Sequence, residues 1–150
     1  MNEENVIPKK IADDSSSVQV HLGILQGVIT RMATNSSQCK AWCITVVSAI
    51  LVIIADKGKP EYALIALLPI FLFTFLDLYY LALERGFRGS YVGFINKLHK
   101  QEVNLTDLYE VKVVGTMYKL QLCSFFSFSI LGFYLGLTLL VLITKNVALT

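Results

Sequence analysis

Charge is absent from three long stretches of this chain: residues 41–55, 62–76 and 120–144 contain no Asp, Glu, Lys or Arg. With 55% hydrophobic residues and a mean hydropathy of +0.60, such runs argue against a water-soluble domain. A helix needs about 20 mainly apolar residues to cross ~30 Å of hydrocarbon, so each stretch is a candidate membrane span. Cysteine is also scarce. Cys39, Cys43 and Cys123 make no secreted disulfide framework, and His21 and His99 are too scattered to join them as zinc ligands. The cysteines are expected to be small apolar helix residues. There is no Ser–His or Cys–His grouping, metal-ligand cluster or glycine-rich phosphate loop. An enzyme is therefore the poorest fit, and no catalytic residue, metal or cofactor is expected. Residues 1–17 lack the apolar core and cleavage site of a signal peptide and read as a disordered leader, which leaves the first span as the signal anchor.

What is present is helical periodicity. After Ser15, Ser16 and Ser17, a helix-start signal, apolar or small residues recur at Val18, Leu22, Leu25, Ile29, Met32, Ser36, Cys39, Cys43, Val46, Ile50 and Ile53. This 4-3-4-3 spacing is that of a coiled-coil seam and runs unbroken from polar into apolar sequence. It predicts either one long helix over residues 18–55 or an amphipathic helix lying on the bilayer and bent near Asn35 and Ser36. In both versions Arg31, Lys40 and Trp42 sit where an interfacial anchor belongs.

The expected architecture is an all-α membrane protein that works as an oligomer. Its parts are a leader (1–17), an amphipathic juxtamembrane helix (18–38), a first span (39–55), a second span (62–83) kinked at Pro69, a charged cytoplasmic connector (84–119), a third span (120–143) and a short tail (144–150). The side holding residues 1–40 and 84–119 carries ten Lys and Arg, against Lys57, Lys59 and Lys145 on the other. The positive-inside rule then puts the N-terminus and the connector in the cytoplasm and the C-terminus outside.

Asp77 is the one acid between Tyr62 and Leu83. An ionised carboxylate facing lipid costs ~2.5–3.5 kcal/mol at mid-bilayer, so Asp77 is expected to face other helices or water. Glu84 follows seven residues on, nearly on the same face, and Arg88 pairs with Glu84 at i+4. Asp77, Glu84 and Arg88 thus form a polar stripe, read as a pore-lining or gating stripe or an inter-subunit lock. The plainer alternative is a packing contact in which Asp77 is protonated or bonded to Tyr79, Tyr80 or a serine of the third span. In that third span, Gln121, Ser124, Ser129, Gly132 and Gly136 share one half of the helix, and Gly132-xxx-Gly136 permits close backbone approach. This face suits helix packing or a pore wall. Three spans enclose no wide aqueous path alone, so a conducting form requires a homo-oligomer.

Two segments carry a family resemblance: "LQGVITRMATNSSQCKAW" (Leu25–Trp42) and "LLPIFLFTFLDLYYLALERGFRGSY" (Leu67–Tyr91). They resemble small membrane effectors of bacterial anti-phage systems, of the CBASS-like or Hailong-type pairs that include a nucleotidyltransferase. The resemblance covers about residues 22–97. Gln26, Arg31, Asn35, Ser36, Lys40 and Trp42 match its first motif, and Asp77, Tyr80, Glu84, Arg85, Phe87 and Arg88 its second. It implies an oligomeric, gated channel or membrane-disrupting effector of the inner membrane, controlled by a nucleotide or oligonucleotide that the partner enzyme makes. Arg85, Arg88, Lys97, Lys100, Lys112 and Lys119, interleaved with Tyr91, Phe94, Tyr109 and Tyr118, are the expected contacts to such an anionic ligand. Cytoplasmic loops are also basic for topological reasons alone. Two other classes stay open: a non-conducting anchor or regulatory subunit for a cytoplasmic partner, and a holin-like lesion former.

Overall fold

The computed structural model describes residues 15–147. Most of the expected leader and the last three residues of the expected tail lie outside that range. Among the described residues the chain is helical, without strands, and three helices are long and apolar enough to cross a membrane.

Helix α1 (Ser16–Lys57) is one uninterrupted rod of about 63 Å at 1.5 Å per residue. Ser15 caps it, accepting from the Val18 N–H, and Gly58 closes it in the left-handed conformation at φ 62°. No bend occurs at Asn35 or Ser36, so of the two sequence expectations the continuous helix is the one observed. A 3₁₀ segment (Pro60–Ala66) turns the chain into α2 (Leu67–His99), which runs back along α1. Pro69 falls in the first turn of α2, where its missing N–H has no intrahelical partner to lose. The expected kink is replaced by the 3₁₀-to-α change just upstream, at Ala66 and Leu67.

Two helix boundaries differ from the expected span boundaries. Helix α2 continues past Leu83 to His99, so about half of the expected connector is the outer part of that helix. The third span is not one helix from Leu120 to Ile143. It is α3 (Met117–Phe125) and α4 (Phe128–Val147), broken within Ser124-Phe-Phe-Ser-Phe-Ser129. Serine weakens helix propagation, and at the break the Ser127 carbonyl instead caps α4, accepting from the Ile130 and Leu131 N–H groups. The break lets α3 pack on α2 while α4 turns to meet the 3₁₀ segment and the first half of α2.

Two apolar clusters hold the helices, one at each end. At the apolar end Cys43, Val47, Ala66, Ile70, Ile130, Tyr134 and Val141 pack together. At the polar end Val18, Phe94, Leu98, Val103 and Leu108 do so. The α1 seam is buried at Val18, Leu25, Met32, Ser36, Cys39 and Cys43, against α2 of the same chain. Outside the first cluster the apolar helices expose large side chains, among them Val52, Leu68, Phe71, Phe75, Phe128 and Leu135. Such outward hydrophobicity suits lipid rather than water.

Candidate functional site

Asp77 is fully buried between the two clusters, where α1, α2 and α4 converge. The Ser36 hydroxyl donates to its Oδ1 at 2.5 Å, and the Lys40 ammonium lies 2.5 Å from Oδ2. Lys40 also donates to Ser36 Oγ at 3.3 Å, closing a three-membered circuit. The Oδ2 contact is a charge contact without an aligned hydrogen bond. Ser36 and Lys40 stand one turn apart on α1, so both reach the same carboxylate. From α4, the Tyr134 hydroxyl approaches the same region and donates to the Phe73 carbonyl at 3.2 Å. Asp77 therefore does not take its partner from Tyr79, Tyr80 or the serines of the third span. It takes one from α1, which sequence reading had assigned to interfacial anchoring.

The rest of the stripe follows the helix as expected. Glu84 is buried on the same side of α2, and Arg88 Nε donates to its Oε1 at 2.6 Å. Arg88 itself faces outward, with its side chain 63% exposed. The stripe thus begins as an internal clamp and ends on the surface.

The third-span face is divided by the break at Ser127. Gln121 and Ser124 belong to α3, where Ser124 is buried and its Oγ has no partner among the described residues. Ser129, Gly132 and Gly136 belong to α4 and are exposed, and a Cβ added at Gly136 meets nothing within 4 Å. These five residues do not form one surface in a single chain.

The six expected anion contacts are also dispersed. Lys97 Nζ donates to Asp107 at 2.6 Å, and Lys112 pairs with Glu110. Both lysines line a cavity of about 230 Å³ with His21, Ser90, Phe94, Asp107 and Glu110, in which each cation already has an acid. Lys100 is the exposed C-cap of α2, Lys119 is exposed on α3, and Arg85 is half-buried.

Sequence reading missed His21. It is 2% exposed, its ring lies 4.3 Å from that of Phe94, and its Nδ1 accepts the Tyr109 backbone N–H at 3.0 Å. Tyr109 holds a positive φ of 63°, so this bond fixes a backbone turn that a tyrosine rarely adopts. Burial lowers the His21 pKa from 6.5, and Asp107 opposes the shift in part. The unfolded or undocked state therefore binds the proton more readily, and stability is complete above pH 6.5 and falls as pH drops below it. The charged groups around the ring are Asp107, Lys97, Glu110 and Lys112. Asp107 is held below its usual 3.8 by the Lys97 hydrogen bond and the Asn104 N–H, so its contribution persists until below that value. The His21 shift acts from pH 6.5 downward, before that of Asp107 begins at 3.8. Exchange of the Tyr109 amide, corrected for intrinsic rate, is expected to speed up by as much as about tenfold per pH unit in that window. His21→Phe should remove the part of this pH dependence that begins at 6.5.

No family model, no curated protein and no solved structure matches this chain. Among the described residues the arrangement is helical, with three helices long and apolar enough to cross a membrane and a closed ion pair at their junction.

Proposed function

We propose that the chain is an oligomeric, gated channel or pore-type effector of bacterial anti-phage, abortive-infection defence. It depolarises or permeabilises the inner membrane under the control of a nucleotide or oligonucleotide made by a partner nucleotidyltransferase. The defence setting and the ligand rest on the sequence resemblance. The N-terminus and the α1–α2 polar end are cytoplasmic and the C-terminus external, by the distribution of Lys and Arg.

The observation that carries the gating role is the Asp77–Lys40–Ser36 circuit. Ionisable groups at membrane depth are costly, and apolar packing of similar volume holds two helices at least as well. Retaining a charge pair there suits a contact that opens and closes. Both helices run unbroken from this circuit to the polar end, so displacement of that end is carried mechanically to the pair. The exposed Ser129, Gly132 and Gly136 stripe on α4 is available for contact with a second copy. One fact favours the alternative of a non-conducting anchor: the Asp77 charge is satisfied within a single chain.

Flux from vesicles tests the reading. Proteoliposomes loaded with potassium are expected to lose it faster with Asp77→Asn than with wild type, because neutralising the carboxylate removes the attraction holding Lys40. Equal retention by both proteins, at verified oligomer content, favours the anchor.

A further inference from the structure

Beyond the Glu84–Arg88 pair, an open groove of about 420 Å³ runs between α1 and α2, lined by Gln26, Ile29, Thr30, Arg88, Tyr91 and Val92. We infer that this groove binds a phosphate ester, with the Arg88 guanidinium as its principal contact. The inference deepens the ligand control proposed above and rests on that reading only for the groove's cytoplasmic position.

Three features single out this groove from the other basic regions. First, the lining itself holds no carboxylate, and the one acid on Arg88, Glu84, reaches it through Nε from outside the groove lining, whereas the acids paired with the two lysines line the His21 cavity itself. Second, its cation is pre-oriented. Glu84, itself only 12% exposed on its side chain, engages Arg88 through Nε, and among the described residues the terminal amines make no hydrogen bond. A guanidinium held at Nε keeps a planar fork for two phosphate oxygens, the geometry in which arginine exceeds lysine. Third, each remaining polar group has a proton to donate. Gln26 Nε2 donates to the Tyr91 hydroxyl at 3.3 Å, which leaves the phenolic proton for a ligand oxygen. The Thr30 hydroxyl adds another. Ile29, Val92 and the Tyr91 ring form apolar walls for the organic part of the ester, and the volume suits a small ligand.

Two sources supply this chemistry. Arg88 lies eleven residues beyond Asp77, about 16 Å along α2, which brings the groove within reach of lipid headgroups as well as soluble nucleotides. Native mass spectrometry of the full-length protein in detergent separates them, with dioleoylphosphatidylglycerol in one arm and adenosine 5′-monophosphate in the other. At least one probe is expected to be retained. Arg88→Gln should weaken it by about tenfold to a hundredfold, as loss of hydrogen bonds to a charged group does. Tyr91→Phe, which leaves the Glu84 contact intact, should weaken it by about threefold to tenfold. Lys57→Gln removes an exposed cation at the opposite end of α1 and should change it by less than about twofold. The lipid arm alone responding assigns the groove to a headgroup, and the nucleotide arm alone to a soluble ligand. Retention of neither probe by the wild type overturns the inference, as does equal weakening by Tyr91→Phe and Lys57→Gln. Because the readout is binding, ion flux without retained ester overturns this inference and leaves the channel reading standing.

Discussion

Lys40→Met is expected to destabilise the α1–α2 pairing by about 3–5 kcal/mol, and Lys40→Met with Asp77→Leu to recover most of that loss. The single change strands a carboxylate that is 0% exposed, leaving it the Ser36 hydroxyl and the nearby Tyr134 hydroxyl. The double change removes both charges and leaves an apolar contact of similar size. The 19% exposure of Lys40 moves the expected cost toward the lower end of the range. Asp77→Leu alone should cost less than Lys40→Met, because the lysine stem can carry its ammonium toward water while Asp77 has no comparable reach. Unfolding of the four proteins in mixed micelles measures the cycle. Additive losses in the double variant would show that the two residues do not act as a pair.

Gly86→Leu should detach the returning chain from α2. A Cβ built at Gly86 overlaps the Val113 side chain and lies 3.1 Å from Leu120 Cδ1, and the Val114 N–H donates to the Gly86 carbonyl at 3.1 Å. The segment leading into α3 therefore lies directly on the helix backbone, and only glycine leaves room for it. Replacing a helical glycine favours the isolated helix by about 0.8–1.0 kcal/mol with alanine, so any net loss reports the tertiary contact. Gly86→Ala is expected to cost about 1–3 kcal/mol through overpacking, and Gly86→Leu more. Limited proteolysis should then cut within residues 100–116 faster than in wild type. Val113→Ala should rescue Gly86→Ala, since the clash is with a side chain. Unchanged protease resistance in Gly86→Leu would mean that this contact does not hold the segment.

What the sequence made legible follows from what each signal measures. Heptad spacing reports which face of a helix is buried, and Val18, Leu25, Met32, Ser36, Cys39 and Cys43 are buried as it predicts. It does not report the partner, which here is α2 of the same chain. Its register also drifts. Beyond Cys43 the buried residue is Val47 rather than Val46, as a 3.6-residue helix departs from a 3.5-residue repeat. The lone acid in an apolar run marked Asp77 as inward-facing. Lys40, on another helix, was not legible as its partner, because the register between two antiparallel helices is set by the turn and the packing. The break at Ser127 was hidden for a different reason: hydropathy counts side chains and is blind to backbone direction. His21 lies three residues after Val18 and four before Leu25, on the buried face, about 100° around the helix from the half-buried Leu22, but a lone histidine there named no partner.

Single-channel recording of the purified protein in planar bilayers, wild type beside Asp77→Asn, tests the central claim most directly. The Asp77–Lys40–Ser36 circuit is taken to hold a conducting oligomer shut. Discrete currents with a higher open probability in Asp77→Asn are the predicted result. Currents of the same amplitude and open probability in both proteins, or none from either with the oligomer verified, would contradict it.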